Sequence, residues 1–218
     1  MQTAHGLKDA LVFHAVFFAV AIPVALSAHG TALGFALVAL ALLYNIGLAA
    51  LGTLRNQADA AWFGLWRFLL PLSMALPCAD WMLVERMGTL HFPDHGVARL
   101  GGAVPAYFMG MWIMILWPVC WVARHTAKPY TTVAVLSLMG FIVWEWAARP
   151  MNLWHAEGVN TVAGFALYPL IPEVLLCLLA YWAWQAFGHA PAWQRIVVAM
   201  GIAVFYAGAL ALALLWVG

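Results

Sequence analysis

Charge is what this sequence has least of. Aspartate, glutamate, lysine and arginine make up 8% of its 218 residues, against about 25% in an ordinary soluble chain. That shortage excludes a soluble globular domain. The net charge of +1 leaves no basic footprint for a nucleic acid. The three cysteines, Cys78, Cys120 and Cys177, all fall inside apolar runs, which argues against a disulfide framework. No lysine falls inside an apolar run, so a retinal-type Schiff base has no amine to form on. No phosphate-binding loop, dinucleotide fingerprint or HExxH zinc motif occurs. Only His14 lies well inside an apolar run, which leaves a haem held by facing histidines without its second ligand.

What the chain has is apolar sequence in lengths that suit a bilayer. It is 67% hydrophobic, with a mean hydropathy of +0.94. A helix needs about 20 apolar residues to cross the hydrocarbon core. Seven spans are read at 10–28, 31–53, 60–82, 103–123, 130–149, 161–186 and 193–217. The first ends in ALSA at 25–28, a weak cleavage-like site, and is read as a retained span. The expected fold is an all-α integral membrane bundle in a single domain over 1–218. Lys8, Arg55, Arg124, Lys128 and Arg195 fall on one side, and Arg86, Arg99 and Arg149 on the other. The cation-rich side faces the cytoplasm, so the N-terminus is expected inside and the C-terminus outside, in a bacterial inner membrane. Trp62, Trp81, Trp121, Trp154 and Trp193 lie near span ends and suit interfacial belts.

Four charges interrupt the apolar runs: Arg67, Asp80, Glu145 and Glu173. A charge at mid-bilayer costs about 2.5–3.5 kcal/mol on insertion scales, so each must be paired, hydrated or neutral. Arg149 follows Glu145 by four positions, so the two share a helix face and are expected to pair. Glu173 has no lysine or arginine within four positions, and Arg67 or Arg149 is the expected partner from another span. Arg67 otherwise snorkels to the inner headgroups. Aromatic residues crowd the acids: Trp81, Tyr107, Phe108, Trp112, Trp144, Trp146, Trp154 and Tyr168. Their faces stabilise a cation by about 0.5–2 kcal/mol each. Pro71, Pro77, Pro118, Pro169 and Pro172 interrupt the spans, and YPLIPE at 168–173 is expected to widen a cavity beside Glu173. Asn45, Asn152 and Asn160 are expected to donate to a pocket carboxylate or a substrate oxygen.

Two segments share a plan. One occupies 79–112 and the other 144–179. Each carries an acid near the outer end of a span, Asp80 or Glu145, then an aromatic in the link, Phe92 or Trp154. A glycine follows, Gly102 or Gly164, and then a proline, Pro105 or Pro172. Read as an internal repeat, the halves cover about 60–123 and 130–186, and such repeats place ligand sites at their interface. This pattern resembles the lycopene cyclase domain of membrane carotenoid cyclases. The small seven-span terpene cyclases of meroterpenoid pathways are similar in size and layout. The resemblance covers residues 60–186, carried by Asp80, Phe92, Gly102 and Pro105 in one half and Glu145, Trp154, Gly164, Pro172 and Glu173 in the other. The carotenoid cyclases carry paired carboxylates after the proline; here the first half has Ala106 and Tyr107, and the second has the single Glu173.

The resemblance implies proton-initiated cyclisation or isomerisation of a polyprenyl or carotenoid-like lipid, with no cofactor or metal. Glu145, Glu173 and Asp80 are then the acid/base residues, Arg149, Arg67 and Asn152 orient them, and the aromatics line the substrate. The expected partners are a lipophilic isoprenoid substrate and membrane lipids, with no nucleic acid. Two other readings stay open. A broken-helix pocket with acids also suits a lipophilic-ligand binder or proton-coupled transporter. His91 and His95 in HFPDH, together with His155, offer ligands for a metal-dependent hydrolase or oxidase.

Overall fold

A computed structural model describes residues 2–54 and 60–218, with side chains from residue 6 onward; Arg55 and the RNQAD link lie outside the described residues. Helices α1 (Gln2–Ser27) and α2 (Gly30–Leu54) form the first two crossings. The third run is α3 (Ala60–Ala75) and α4 (Pro77–Met82), ending in a π-helical turn at Leu83–Met87. Then come α5 (Phe108–Met111), α6 (Ile113–Ala123), α7 (Pro129–Ala148), α8 (Leu170–Phe187) and α9 (Ala192–Val217). Among the described residues, 6 helices are long and apolar enough to cross a membrane, and Phe108–Ala123 is a shorter apolar helix. The architecture is that of a helical, multi-pass membrane protein. Large apolar side chains such as Val16, Ile46, Val204 and Leu212 point outward, the inverse of a soluble surface.

Backbone groups freed inside a bilayer must find partners, and here side chains supply them. The α5–α6 break at Trp112 is bridged by Ser73: its hydroxyl donates to the Met109 carbonyl at 2.8 Å and accepts from the Ile113 N–H at 3.2 Å. Asn45 donates to the Gly110 carbonyl at 3.0 Å and accepts from the Trp66 indole at 3.2 Å. Asn45 is thus a structural clamp on the break. Asn160 donates to the Val217 carbonyl at 3.4 Å. Neither reaches a pocket carboxyl.

The two links on the acid-bearing side are built alike. The first holds β1 (Leu90–His91), β2 (Arg99–Leu100) and β3 (Val104–Pro105); the second holds β4 (His155–Ala156), β5 (Thr161–Val162) and β6 (Phe165–Ala166). In each, the last two strands form a hairpin, β2 with β3 and β5 with β6. β1 and β4 pair antiparallel across the links, setting His91 opposite His155 and Leu90 opposite Ala156. The hairpin turns hold left-handed backbone at Gly101, Gly102, Ala163 and Gly164, conformations that glycine adopts freely. These hairpins correct the expected bounds of two spans. Residues 103–107 and 161–169 are hairpin and turn, so the helices begin at Phe108 and Leu170. Pro169 and Pro172 therefore open α8 instead of interrupting it, which suits proline's missing N–H. Pro105 lies in β3, so it does not match Pro172; the two glycines do match, one in each hairpin turn.

Each acid-bearing helical run ends in a left-handed residue, Gly88 after the π-helical turn (φ 64) and Asn152 after α7 (φ 52). At the second, the Leu153 N–H bonds the Ala148 carbonyl at 2.9 Å and the Asn152 N–H bonds the Arg149 carbonyl at 2.9 Å, the Schellman pattern. Of the five tryptophans expected at an interface, Trp193 is exposed and Trp81 half-buried, whereas Trp62, Trp121 and Trp154 are buried. Trp62 and Trp121 pack with Trp117 as an aromatic core between α3 and α6.

Candidate acid site between the two links

The three acids read as one acid/base set come together. Asp80 from α4, Glu145 from the end of α7 and Glu173 from the first turn of α8 line one cavity of about 60 Å³. Glu173 sits at the start of its helix, not in the middle of a span, because α8 begins at Leu170. Asp80 and Glu173 are 5% and 4% exposed. Each half contributes an indole to its own acid. Trp112 Nε1–H donates to Asp80 Oδ2 at 3.0 Å, and Trp154 Nε1–H donates to Glu145 Oε1 at 3.0 Å. Glu173 Oε2 is buried without a hydrogen-bond partner. The three carboxyls interact electrostatically with one another.

The roof is the β1–β4 pair. Leu90 and Ala156 face the cavity, and alternation along a strand sends His91 and His155 outward. Outside, His155 Nε2 lies 3.3 Å and His91 Nδ1 3.9 Å from Glu157 Oε1. His95 does not join them; its Nδ1 shares a hydrogen bond with the Tyr107 hydroxyl at 3.1 Å. Among the described residues, no group of three or more His, Cys, Asp and Glu side chains is placed to hold a metal ion. Burial holds the His95 imidazole below its ordinary 6.5, an effect that the nearby Asn152 carbonyl partly offsets.

Two lining groups escaped the sequence reading. Thr89 Oγ1 shares a hydrogen bond with the Tyr168 hydroxyl at 2.9 Å, and Tyr206 of α9 closes the cavity floor beside Trp112. Burial pushes the Tyr168 hydroxyl up to about 12, so it stays protonated as a donor. An isolated threonine and a tyrosine in the last apolar run carried no local signal. Phe108, Trp112, Trp144, Trp154 and Tyr168 line the cavity as expected. Trp81 instead packs against Gly101 and carries the Arg86 guanidinium 5.4 Å from its ring centre. Tyr107 is buried against His95 and Phe108, outside the cavity lining.

The expected ion pairs are not formed. Among the described residues, no ion pair joins Glu145 to Arg149: the carboxylate faces Trp154, while Arg149 is exposed and lies over Gly164. Arg67 is exposed on α3, 6.0 Å from the Phe63 ring centre, and does not line the cavity. Asn152 also lies outside it and serves as the helix cap. Among the described residues, the cavity lining thus holds three carboxyls and no lysine or arginine.

Beside this cavity runs a groove of about 890 Å³ lined by α1, α2, α6 and α7. Its rim residues Ile22, Met139, Val143 and Trp146 are exposed, so it opens sideways where lipid would lie. Met111, Ile115, Trp144 and Trp154 line both spaces and form the wall between them.

The family profile described as "Domain of unknown function (DUF6989)" matches residues 77–217. The chain belongs to the DUF6989 family. Neither a curated protein nor a solved structure matches it. The DUF6989 segment begins at Pro77, so it contains all three cavity acids, both links and α5 to α9. Helices α1 and α2, which supply one wall of the lateral groove, precede it.

Proposed function

We propose that the protein is a membrane-embedded cyclase or isomerase that acts on a polyprenyl lipid by proton-initiated carbocation chemistry. The observation that carries this reading is a three-carboxyl cavity sharing a wall of Met111, Ile115, Trp144 and Trp154 with a lipid-facing groove. The groove volume lies in the range of small-molecule sites, roughly 300–1,000 Å³. The chain of the lipid occupies the groove, and one reacting segment enters the cavity through the wall. The short helix Phe108–Ala123 completes seven crossings, with the N-terminus inside.

Repulsion among three carboxyls in one apolar enclosure is relieved when they share protons. Glu173, with a free oxygen, is the donor. Its proton adds to an alkene carbon, the π pair forms the new C–H bond, and a cation develops on the neighbouring carbon. A second alkene closes a ring by donating its pair. Asp80 or Glu145 then takes a proton from the adjacent carbon and restores a double bond. Proton in and proton out balance, so the reaction is redox-neutral. The indole faces of Trp112, Trp144 and Trp154 stabilise the cation, and the β1–β4 roof limits the water that would quench it. Tyr168 and Thr89 hold a hydrogen bond in the lining of the same cavity.

The experiment is reconstitution in D2O with an acyclic polyene and with a polyprenyl alcohol, followed by mass spectrometry. The reading expects solvent deuterium in a product isomeric with its precursor, and none with Glu173→Gln. A second reading, a proton-coupled carrier, draws on the groove's opening to the bilayer. Proton-dependent lipid movement between vesicles with no isotopic change in the lipid would replace the cyclase reading with that one.

A further inference from the structure

Arg195 stands in the first turns of α9 and is 8% exposed. Its Nε and Nη1 are buried without a hydrogen-bond partner, and among the described residues no carboxylate pairs with it. Its charged neighbour is another cation: Arg67 of α3 lies near enough for the two guanidiniums to repel. Two like charges gathered without a counter-ion among the described residues are costly, and a buried guanidinium ordinarily has its donors filled. Helices α3 and α9 pack together, and neither arginine lines the acid cavity. Arg67 precedes Asp80 by thirteen positions, about 20 Å along a helix. Trp193, 64% exposed, lies two residues before Arg195, and such a tryptophan marks headgroup depth.

We propose that Arg195 and Arg67 form a binding site for a phosphate-bearing anion, at the end of the bundle remote from the acid cavity. The planar fork of a guanidinium matches two phosphate oxygens, and a phosphate between the two arginines fills the stranded donors while cancelling their repulsion. The depth favours the headgroup of an anionic phospholipid, with free phosphate as the other source of the same chemistry. This site stands independently of the reaction proposed for the carboxyls.

The test uses the full chain in neutral detergent and reads its melting temperature against added phosphatidylglycerol, phosphatidylcholine and inorganic phosphate. Phosphatidylglycerol is expected to raise the melting temperature where phosphatidylcholine does not. A rise with inorganic phosphate as well identifies the free anion as sufficient. Arg195→Met and Arg67→Met lose most of the rise, Arg195→Lys loses part of it, and Arg86→Met at the opposite end keeps it whole. Without added anion, Arg195→Met melts no lower than the parent, because the substitution removes an unpaired buried charge. Asp59 belongs to the RNQAD link outside the described residues; Asp59→Asn leaves the response unchanged, and a response that appears only in that variant identifies Asp59 as the internal counter-ion and overturns the site. The proposal also fails if no anion shifts the parent protein. A shift as large in Arg67→Met and Arg195→Met as in the parent, which is diffuse charge attraction, defeats it too. Should Arg195→Met not fold, Arg67→Met and Arg195→Lys decide the question.

Discussion

Replacing Trp112 with phenylalanine tests whether the indole holds Asp80 in the cavity. The Nε1–H donates to Asp80 Oδ2 at 3.0 Å, and the carboxyl is 5% exposed. Phenylalanine keeps a ring near Tyr206, whose centroid lies 5.6 Å from that of the indole, but it removes the donor. A buried acceptor left without its partner costs about 1–3 kcal/mol. Taking about 2 kcal/mol, and about 2–4 °C per kcal/mol for a chain of this length, the melting temperature falls by roughly 4–8 °C. Scanning fluorimetry of the purified protein in neutral detergent reads that shift. Asp80→Asn retains a carbonyl oxygen for the indole and stays close to the parent. In an Asp80→Ala background, Trp112→Phe loses most of its cost, because the two residues act as one unit. A Trp112→Phe protein that melts with the parent, or that loses as much stability without Asp80 as with it, would refute the reasoning.

Ser73→Ala removes the hydroxyl that serves both the Met109 carbonyl and the Ile113 N–H, so about 2–4 kcal/mol of stability is lost; a melting temperature equal to that of the parent refutes the clamp. Burial holds His95 below 6.5, so the unfolded chain takes up the proton first. The stability from neutral His95 is full above about pH 6.5 and is lost as pH falls toward the folded value. His95→Gln flattens that acid slope in melting temperature, and an unchanged slope counts against it. Arg149→Ala leaves deuterium incorporation at the parent level, because Arg149 faces Gly164 and not Glu145; loss of turnover in a folded protein restores the expected ion pair. Asn152→Ala costs about 1–2 kcal/mol, since alanine must adopt a left-handed backbone at the α7 cap, and Asn152→Gly recovers most of it in the same melt.

The approximate places of the helical runs were legible because hydrocarbon solvent demands long, uncharged, internally bonded segments, and that demand is written residue by residue. The acids were legible for the same reason: Asp80, Glu145 and Glu173 stand out wherever apolar residues are the rule. Arg149 misled because a four-residue spacing brings two side chains to one face without fixing where either points. The cap at Asn152 turned the chain, and Arg149 swung over Gly164 while Glu145 took the Trp154 indole. The starts of α5 and α8 misled because apolar hairpin strands have the composition of a helix end.

The sequence by itself determined that the chain lives among apolar surroundings, crosses them repeatedly as helices, and carries three acids that such surroundings tolerate only on special terms. Those are properties of local composition and of solvent. Only the tertiary structure decided that the acids meet, that each of two has its own indole, that no arginine among the described residues joins them, and that a lipid-facing groove lies behind Trp144 and Trp154. It also decided that Arg67 and Arg195, far apart in sequence, stand together without an acid among the described residues. Partnership between side chains depends on where helices end and how they pack, and a linear pattern of apolar residues leaves both undetermined.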